Sequence, residues 1–421
     1  MKMFRRLALI PRSLLCLSLV AFATAANASP LQLGKVGPWG QLESYEIVLE
    51  PADQLIREPL YTYPPLIWAF PPDWDLERIG HFLTRSGIAP AEVAAMLESG
   101  TVKHHVNATT LLPTARAIID LNPQQRAALY AEFSKWGINP FQTAPFSLGG
   151  DNVSSLAALA THPFPEDFLK FADKFVFEGS PRNLLSDYPL LCTELPDEVA
   201  VRIRFAKLLL RSRALMVRLR IPEGTSLDEV RKYWTLDGKI ESSLPALNAA
   251  FPTDDPAAAP PLDLVHLLPP LPRQLLYTYS PVALAVGEFR PDCFWSSLNF
   301  FEEDFSQRYL DPIVGELLGS EWIPVEKPYR FGDLILIKEL RSGDAVHACN
   351  YLADDLVFTK NGKSFLRPWL IQPISEVEKT YSVDGFHQTA VYRHRRFLPR
   401  QSSSAPAPDE PTRNAEPPLP R

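Results

Sequence analysis

Forty-two prolines punctuate the 421 residues, about one residue in ten and twice the usual share of roughly 5%. Proline fixes φ and has no N–H, so it ends or bends helices and is kept out of central strands. A chain interrupted this often folds into short elements joined by extended connections. The densest run is "PTDDPAAAPPLDLVHLLPPLP", Pro252–Pro272, with seven prolines in 21 residues. It reads as the connection between two domains. Hydrophobic residues make up 46% of the chain, enough for a real core, and the length allows two or three domains.

The grammar differs on the two sides of that connection. Residues 29–251 read as a mostly helical domain. After a strand in "SYEIVLE" and the aromatic, Pro-rich "YTYPPLIWAFPPDW", the segments "DLERIGHFLTRSG" and "APAEVAAMLESG" have helical apolar spacing and end in Gly. "NPQQRAALYAEFSKWG" repeats this with Asn122 as N-cap and Gly137 as the stop, and "FPEDFLKFADKFVF" adds another helix. The spacing predicts the longest helix over Pro196–Arg220, with acids in its first turn and arginines in its last, matching the helix dipole. Residues 273–400 read as one helix followed by strands. The fold class is therefore α+β.

The ends of the chain carry different signals. Lys2, Arg5 and Arg6, an apolar run from Leu14 to Ala23 and the small residues Ala26-Asn27-Ala28 give residues 1–28 the form of a secretory signal peptide. The apolar run is shorter than the roughly 20 residues a membrane span needs, and no later segment is longer, so no span is expected after cleavage. A secreted or periplasmic location follows. Residues 401–421, "QSSSAPAPDEPTRNAEPPLPR", have no apolar period and read as a disordered tail. Without its leader the chain carries 38 basic against 49 acidic side chains, a net charge of −11. Nucleic-acid binding draws its affinity from basic faces, so no nucleic-acid partner is expected.

Three cysteines remain in that exported chain: Cys192, Cys293 and Cys349. The number is odd, so at least one is unpaired within the chain. In "RPDCFWSSLNFFEEDF", Phe294, Leu298, Phe301 and Phe305 mark one helical face, and Asp292 is a good N-cap. Cys293 then stands at the first helical position, where free N–H groups and the helix dipole favour a thiolate. A nucleophile also needs a base. Downstream, "DLILIKEL", "AVHACNYLA" and "LVFTKNG" read as three successive strands, with His347 near the start of the second. Cys349 faces the same way as His347 and reads as a small core residue, as does Cys192. A zinc site of Cys293, His347 and Cys349 lacks a recognised ligand spacing, and no cofactor or metal is expected. His104-His105, His387 and His394 read as surface residues.

Together these motifs resemble the NlpC-like cysteine peptidases, a rearranged branch of the papain-like fold, over about residues 277–396. The matching residues are Asp292-Cys293, then Gly332-Asp333-Leu334-Ile335 forty positions after the cysteine, then His347 and Tyr351. The family's third polar residue falls about twelve positions past the His, on Thr359; Asn361, two residues on, is an alternative. Tyr277 or Tyr279 matches the family's supporting Tyr upstream of the cysteine. The sequence departs from the pattern at Phe294 and Trp295, where the family carries small residues. The resemblance implies a Cys-bearing helix packed on an antiparallel sheet. It also implies catalysis by Cys293 and His347, the imidazole oriented by Thr359 or Asn361, on a peptide or cell-wall stem-peptide amide. The alternative is a non-catalytic envelope binding or assembly module on a degenerate papain-like scaffold.

Overall fold

The alternating "SYEIVLE" lies in β2 (Gly40–Leu49), which folds back on β1 (Gln32–Gly37). The computed structural model describes residues 30–56, 66–98, 102–179, 182–252, 254–280, 290–303, 307–310, 314–382 and 386–398. The expected leader, the expected tail and Phe305 lie outside the described residues. Helices Leu76–Arg85 and Pro90–Glu98 follow the first hairpin, separated from it by β3 (Trp68–Phe70). β4 (Lys103–His104) and β5 (Thr109–Leu111) complete a small sheet with β3. The Pro123–Phe133 helix starts with a capping box in which Asn122 and Gln125 satisfy each other's backbone N–H groups. β6 (Phe146–Ser147) and β7 (Leu184–Leu185) form a short pair.

Pro196–Arg220 is not one helix. A helix covers Val199–Leu209, and β8 (Ser212–Arg220) follows. The break lies at Arg211, whose buried guanidinium donates to Glu50 at 2.8 Å and to the Leu156 and Thr161 carbonyls at 2.5 and 3.0 Å. Beyond it β8 pairs with β2 through nine residues, from Gln41↔Arg220 to Leu49↔Ser212. Its arginines meet acids across the strands, Arg218 with Glu43 at 2.6 Å and Arg213 with Glu46 at 3.6 Å. The basic run that matched a helix dipole matches an acidic partner strand better, and tertiary pairing overrides the local signal.

The second half of the Pro-rich stretch, from Leu264 on, is built into the core, while the described residues from Pro252 to Asp263 stay exposed or half-buried. The stretch contributes β9 (Leu262–Asp263), which extends the sheet to the order β1-β2-β8-β9, a 3-10 turn at Leu264–Leu267 and a helix at Pro270–Leu275. Leu264, Leu267, Leu268 and Leu271 are buried. They join an apolar cluster that runs from Leu42, Val217 and Trp234 to Trp295, Phe358 and Trp369 of the C-terminal half. A separate cluster spans Ile56 to Leu210.

The C-terminal half is a six-stranded antiparallel sheet of β10 (Trp322–Pro324), β11 (Leu334–Lys338), β12 (Ala345–Ala353), β13 (Leu356–Lys360), β14 (Trp369–Pro373) and β15 (Gln388–His394). Its order is β10-β15-β11-β12-β13-β14. The molecule is thus α+β with antiparallel sheets.

One charged group sits at the heart of the Ile56–Leu210 cluster. Arg126 and Asp187 are buried and ion-paired. The Tyr130 hydroxyl also donates to Asp187, and Arg126 donates to the Ile118 and Leu121 carbonyls at 2.8 and 3.2 Å. Asp187→Ala would strand the guanidinium without its counter-charge. It is expected to lower unfolding stability by about 3–5 kcal/mol, read by denaturant titration; a loss near zero would mean the pair is not buried as described.

Candidate active site

The Cys293–Leu298 helix starts where its sequence says it should: the Asp292 side chain accepts from the Trp295 N–H at 2.9 Å. Two hydrogen bonds seat it on the sheet. Asn350 of β12 donates to the Ser297 carbonyl at 3.1 Å, and the Trp369 indole donates to Ser296 Oγ at 2.7 Å. Trp295 turns into the core, while Phe294 is half-buried against the sheet cluster that contains Leu298 and Ala348. Phe301 lies past the helix end and packs on Phe397 at 4.4 Å between ring centres.

The Gly332-Asp333 pair sets the start of β11. Gly332 has φ +80°, and a Cβ there would meet the Phe301 ring at 2.0 Å, so the position requires glycine. Asp333 accepts from both Nε and Nη2 of Arg393 at 2.7 and 2.6 Å and from the Arg330 N–H at 2.7 Å. Its role is to clamp β11 to β15.

On β12, side chains alternate between the two sheet faces. Ala348 clusters with Leu298 of the Cys293 helix. Cys349 and Tyr351 pack with Val377 of the Ile374–Tyr381 helix on the other side, and His347 stacks on Tyr381 of that helix, 3.9 Å between centroids and 15° between planes. β12 and β13 pair from Asn350↔Phe358 to Ala353↔Leu356, a register that stops short of His347, Ala348, Thr359 and Lys360. Cys293 sits at this end of the pair, with the Ala348 and Phe294 backbone N–H groups on its sulfur. Sulfur and imidazole therefore approach the strand at successive residues.

His347 is 0% exposed and held in one orientation. Its Nε2 lies 2.8 Å from Thr359 Oγ1. Its Nδ1 is buried without a hydrogen-bond partner, so no hydrogen bond joins it to the Cys293 sulfur. Of the two candidates for the third residue, Thr359 meets the imidazole. Asn361 instead accepts from the Tyr381 hydroxyl at 3.5 Å. The Tyr277 hydroxyl donates to the Leu215 carbonyl at 2.6 Å, and the Tyr279 hydroxyl is buried without a partner.

Burial dominates the electrostatics. Cys293 is 5% exposed, and burial pushes its thiol up to about 12. Asp292 pushes the same way, while the two backbone N–H groups and Lys360 oppose. The helix start favours a thiolate as the sequence suggests, but desolvation outweighs it. Burial also pulls His347 down to about 3. At neutral pH both groups are uncharged.

Two residues here had no clear sequence signal. Lys360 is fully buried, donates to the Gly362 and Ser364 carbonyls at 2.7 and 2.8 Å, and lies 5.5 Å from the Trp369 ring centre. Burial pulls its ammonium down to about 8. Tyr381 ends the Ile374–Tyr381 helix, and its i, i+4 spacing from Val377 is the one local signal that could have found it.

The other candidates are accounted for. Cys192, Cys293 and Cys349 are all buried, and none is in a disulfide. His104 Nδ1 is 3.0 Å from Thr109 Oγ1, and His387 Nδ1 is 2.7 Å from Ser382 Oγ. Among the described residues, no group of three His, Cys, Asp or Glu side chains could hold a metal ion, and no helix is long and apolar enough to cross a membrane.

A buried neutral His347 links stability to acid. The folded state holds it near 3 while an unfolded chain titrates near 6.5, so between these values only the unfolded chain takes the proton. The stabilisation is complete above about pH 6.5 and is lost as pH falls towards 3. Wild type should lose roughly 4 kcal/mol more than His347→Gln across that window, measured by denaturant unfolding at stepped pH. Parallel curves for the two proteins would contradict it.

No family model, no curated protein and no solved structure matches the chain.

Proposed function

We propose that the chain is an exported thiol hydrolase, a peptidase or amidase acting on peptide substrates such as cell-wall stem peptides, with its site in an NlpC-like, papain-like domain. The observation that carries this reading is the state of His347. Its Nε2 is fastened to Thr359 while Nδ1 is buried and unspent. A buried polar atom without a partner is unfavourable by about 1–3 kcal/mol and calls for an explanation. A base awaiting a proton is one. With Nε2–H donating to Thr359 Oγ1, Nδ1 carries the lone pair.

In the forward reaction the Cys293 sulfur attacks the amide carbon as its proton passes to Nδ1. His347 then gives that proton to the leaving amine, and water cleaves the thioester by the same exchange. Helix-start N–H groups are suited to the oxyanion. Energetics set a condition on this. Moving a proton from a thiol at about 12 to an imidazole at about 3 is uphill by roughly 12 kcal/mol. Attraction within the resulting ion pair returns only about 4 kcal/mol at 4 Å and an effective dielectric near 20. Bound substrate and its oxyanion contacts have to supply the rest.

That gap favours a second reading, in which the scaffold keeps Cys293 and His347 as buried neutral residues and serves as a binding or assembly module at the cell envelope. Hydrolysis of muropeptide stem peptides, followed by mass spectrometry, separates the two. The hydrolase reading expects turnover that falls by about 10³-fold or more in Cys293→Ala and in His347→Ala, with Thr359→Val between them and wild type. It also expects an electrophilic peptide analogue to label Cys293 rather than Cys349. No turnover by the mature protein, with Cys293 unlabelled until denaturation, would establish the second reading instead.

A further inference from the structure

A cleft of about 550 Å³ opens where the N-terminal half meets β14, the edge strand of the C-terminal sheet, and the Ile374–Tyr381 helix, and is lined by neither Cys293 nor His347. Two guanidiniums, Arg182 and Arg367, line it and lie close enough to repel each other. Arg182 Nη2 donates to Thr380 Oγ1 at 3.3 Å, and Arg367 Nη2 donates to the Ser147 carbonyl at 2.9 Å. Neither has a carboxylate within ion-pair distance among the described residues, although a guanidinium offers five N–H donors. Burial first, and then the neighbouring Arg182, pull Arg367 down to about 10, while Glu376 lies close enough to Arg182 to favour its charge. Gln372 of β14 also lines the cleft, is 6% exposed, and its Nε2 has no hydrogen-bond partner.

Donors of this kind and number call for an oxyanion, and Arg side chains match a planar carboxylate in two-point fashion. The walls are not uniformly basic. Glu46 is taken by Arg213 at 3.6 Å, while Asp151 and Glu376 also line the cleft and are not ion-paired among the described residues. Mixed charge suits a small zwitterion better than a polyanion. A volume of 550 Å³ falls within the range of small-molecule sites.

We propose that this cleft binds a free amino acid or short peptide, its carboxylate held by Arg367, Gln372 Nε2 and Arg182 and its ammonium by the neighbouring carboxylates Asp151 and Glu376. The assignment does not depend on Cys293 being a nucleophile. Tyr381, stacked on His347 and bonded to Asn361 of the cleft wall, stands between the two places.

Isothermal titration of the mature chain with alanyl-alanine, its C-terminal amide and inorganic phosphate tests this. The acid dipeptide should bind at millimolar concentration or better, and the amide and phosphate should each bind about tenfold or more weakly. Gln372→Leu, which keeps side-chain bulk, and Arg182→Gln should each weaken the dipeptide by about tenfold. Cys293→Ala should bind it as wild type does, so the result reads the cleft and not the hydrolase. No heat from the dipeptide at about 10 mM, equal affinity for acid and amide, phosphate binding as tightly as the dipeptide, or unchanged affinity in both variants would each overturn the proposal.

Discussion

Trp369 is the contact through which the parts of this molecule depend on one another. Its indole N–H fixes the Cys293 helix through Ser296, and its ring lies beside the Lys360 ammonium. Its backbone accepts from Tyr277 at 2.8 Å and donates to Thr278 at 3.1 Å, drawing the segment that follows the Pro-rich stretch onto β14. Its ring is buried in the same cluster as Leu42 and Val217 of the N-terminal sheet. A large aromatic with one polar atom suits this place: it fills volume in several directions and still specifies one orientation through a single hydrogen bond.

Desolvation is the second organising force. It acts in the same sense on every titratable group near Cys293, holding the thiol protonated and the imidazole neutral and weakening the hold of Lys360 on its proton. The site is preorganised in position, since His347 has one hydrogen bond and one stacking partner, yet it is not precharged. Any chemistry here begins from neutral partners, which distinguishes it from a thiolate–imidazolium pair waiting at rest.

Much of the local structure was legible in the residue order. The Asn122 and Asp292 caps and the three strands from Leu334 to Lys360 follow from short-range patterns, because caps and period-two alternation are set within a few residues. Thr359 as the partner of His347 came only from the family resemblance, which left Asn361 open beside it. Pro196–Arg220 was misread because helix and strand both accept that mix of apolar and basic residues; the acids of β2 decide between them from 170 or so positions away. Prolines in Pro252–Pro272 signalled a connection, but four leucines among them bury as core. The thiol's protonation was beyond reach for a similar reason. A helix start is visible in sequence, whereas the burial that outweighs it is a sum over distant neighbours.

The burial of the Pro-rich stretch bears on how such a chain could be divided. Linkers are where modules are exchanged, because cutting there leaves each core intact. Here the stretch that looks like a linker carries Leu264, Leu267, Leu268 and Leu271 into a core shared by both sides. Cleavage or recombination at that stretch would leave apolar surface on both fragments. The two halves would have to be inherited, expressed and folded as a single unit.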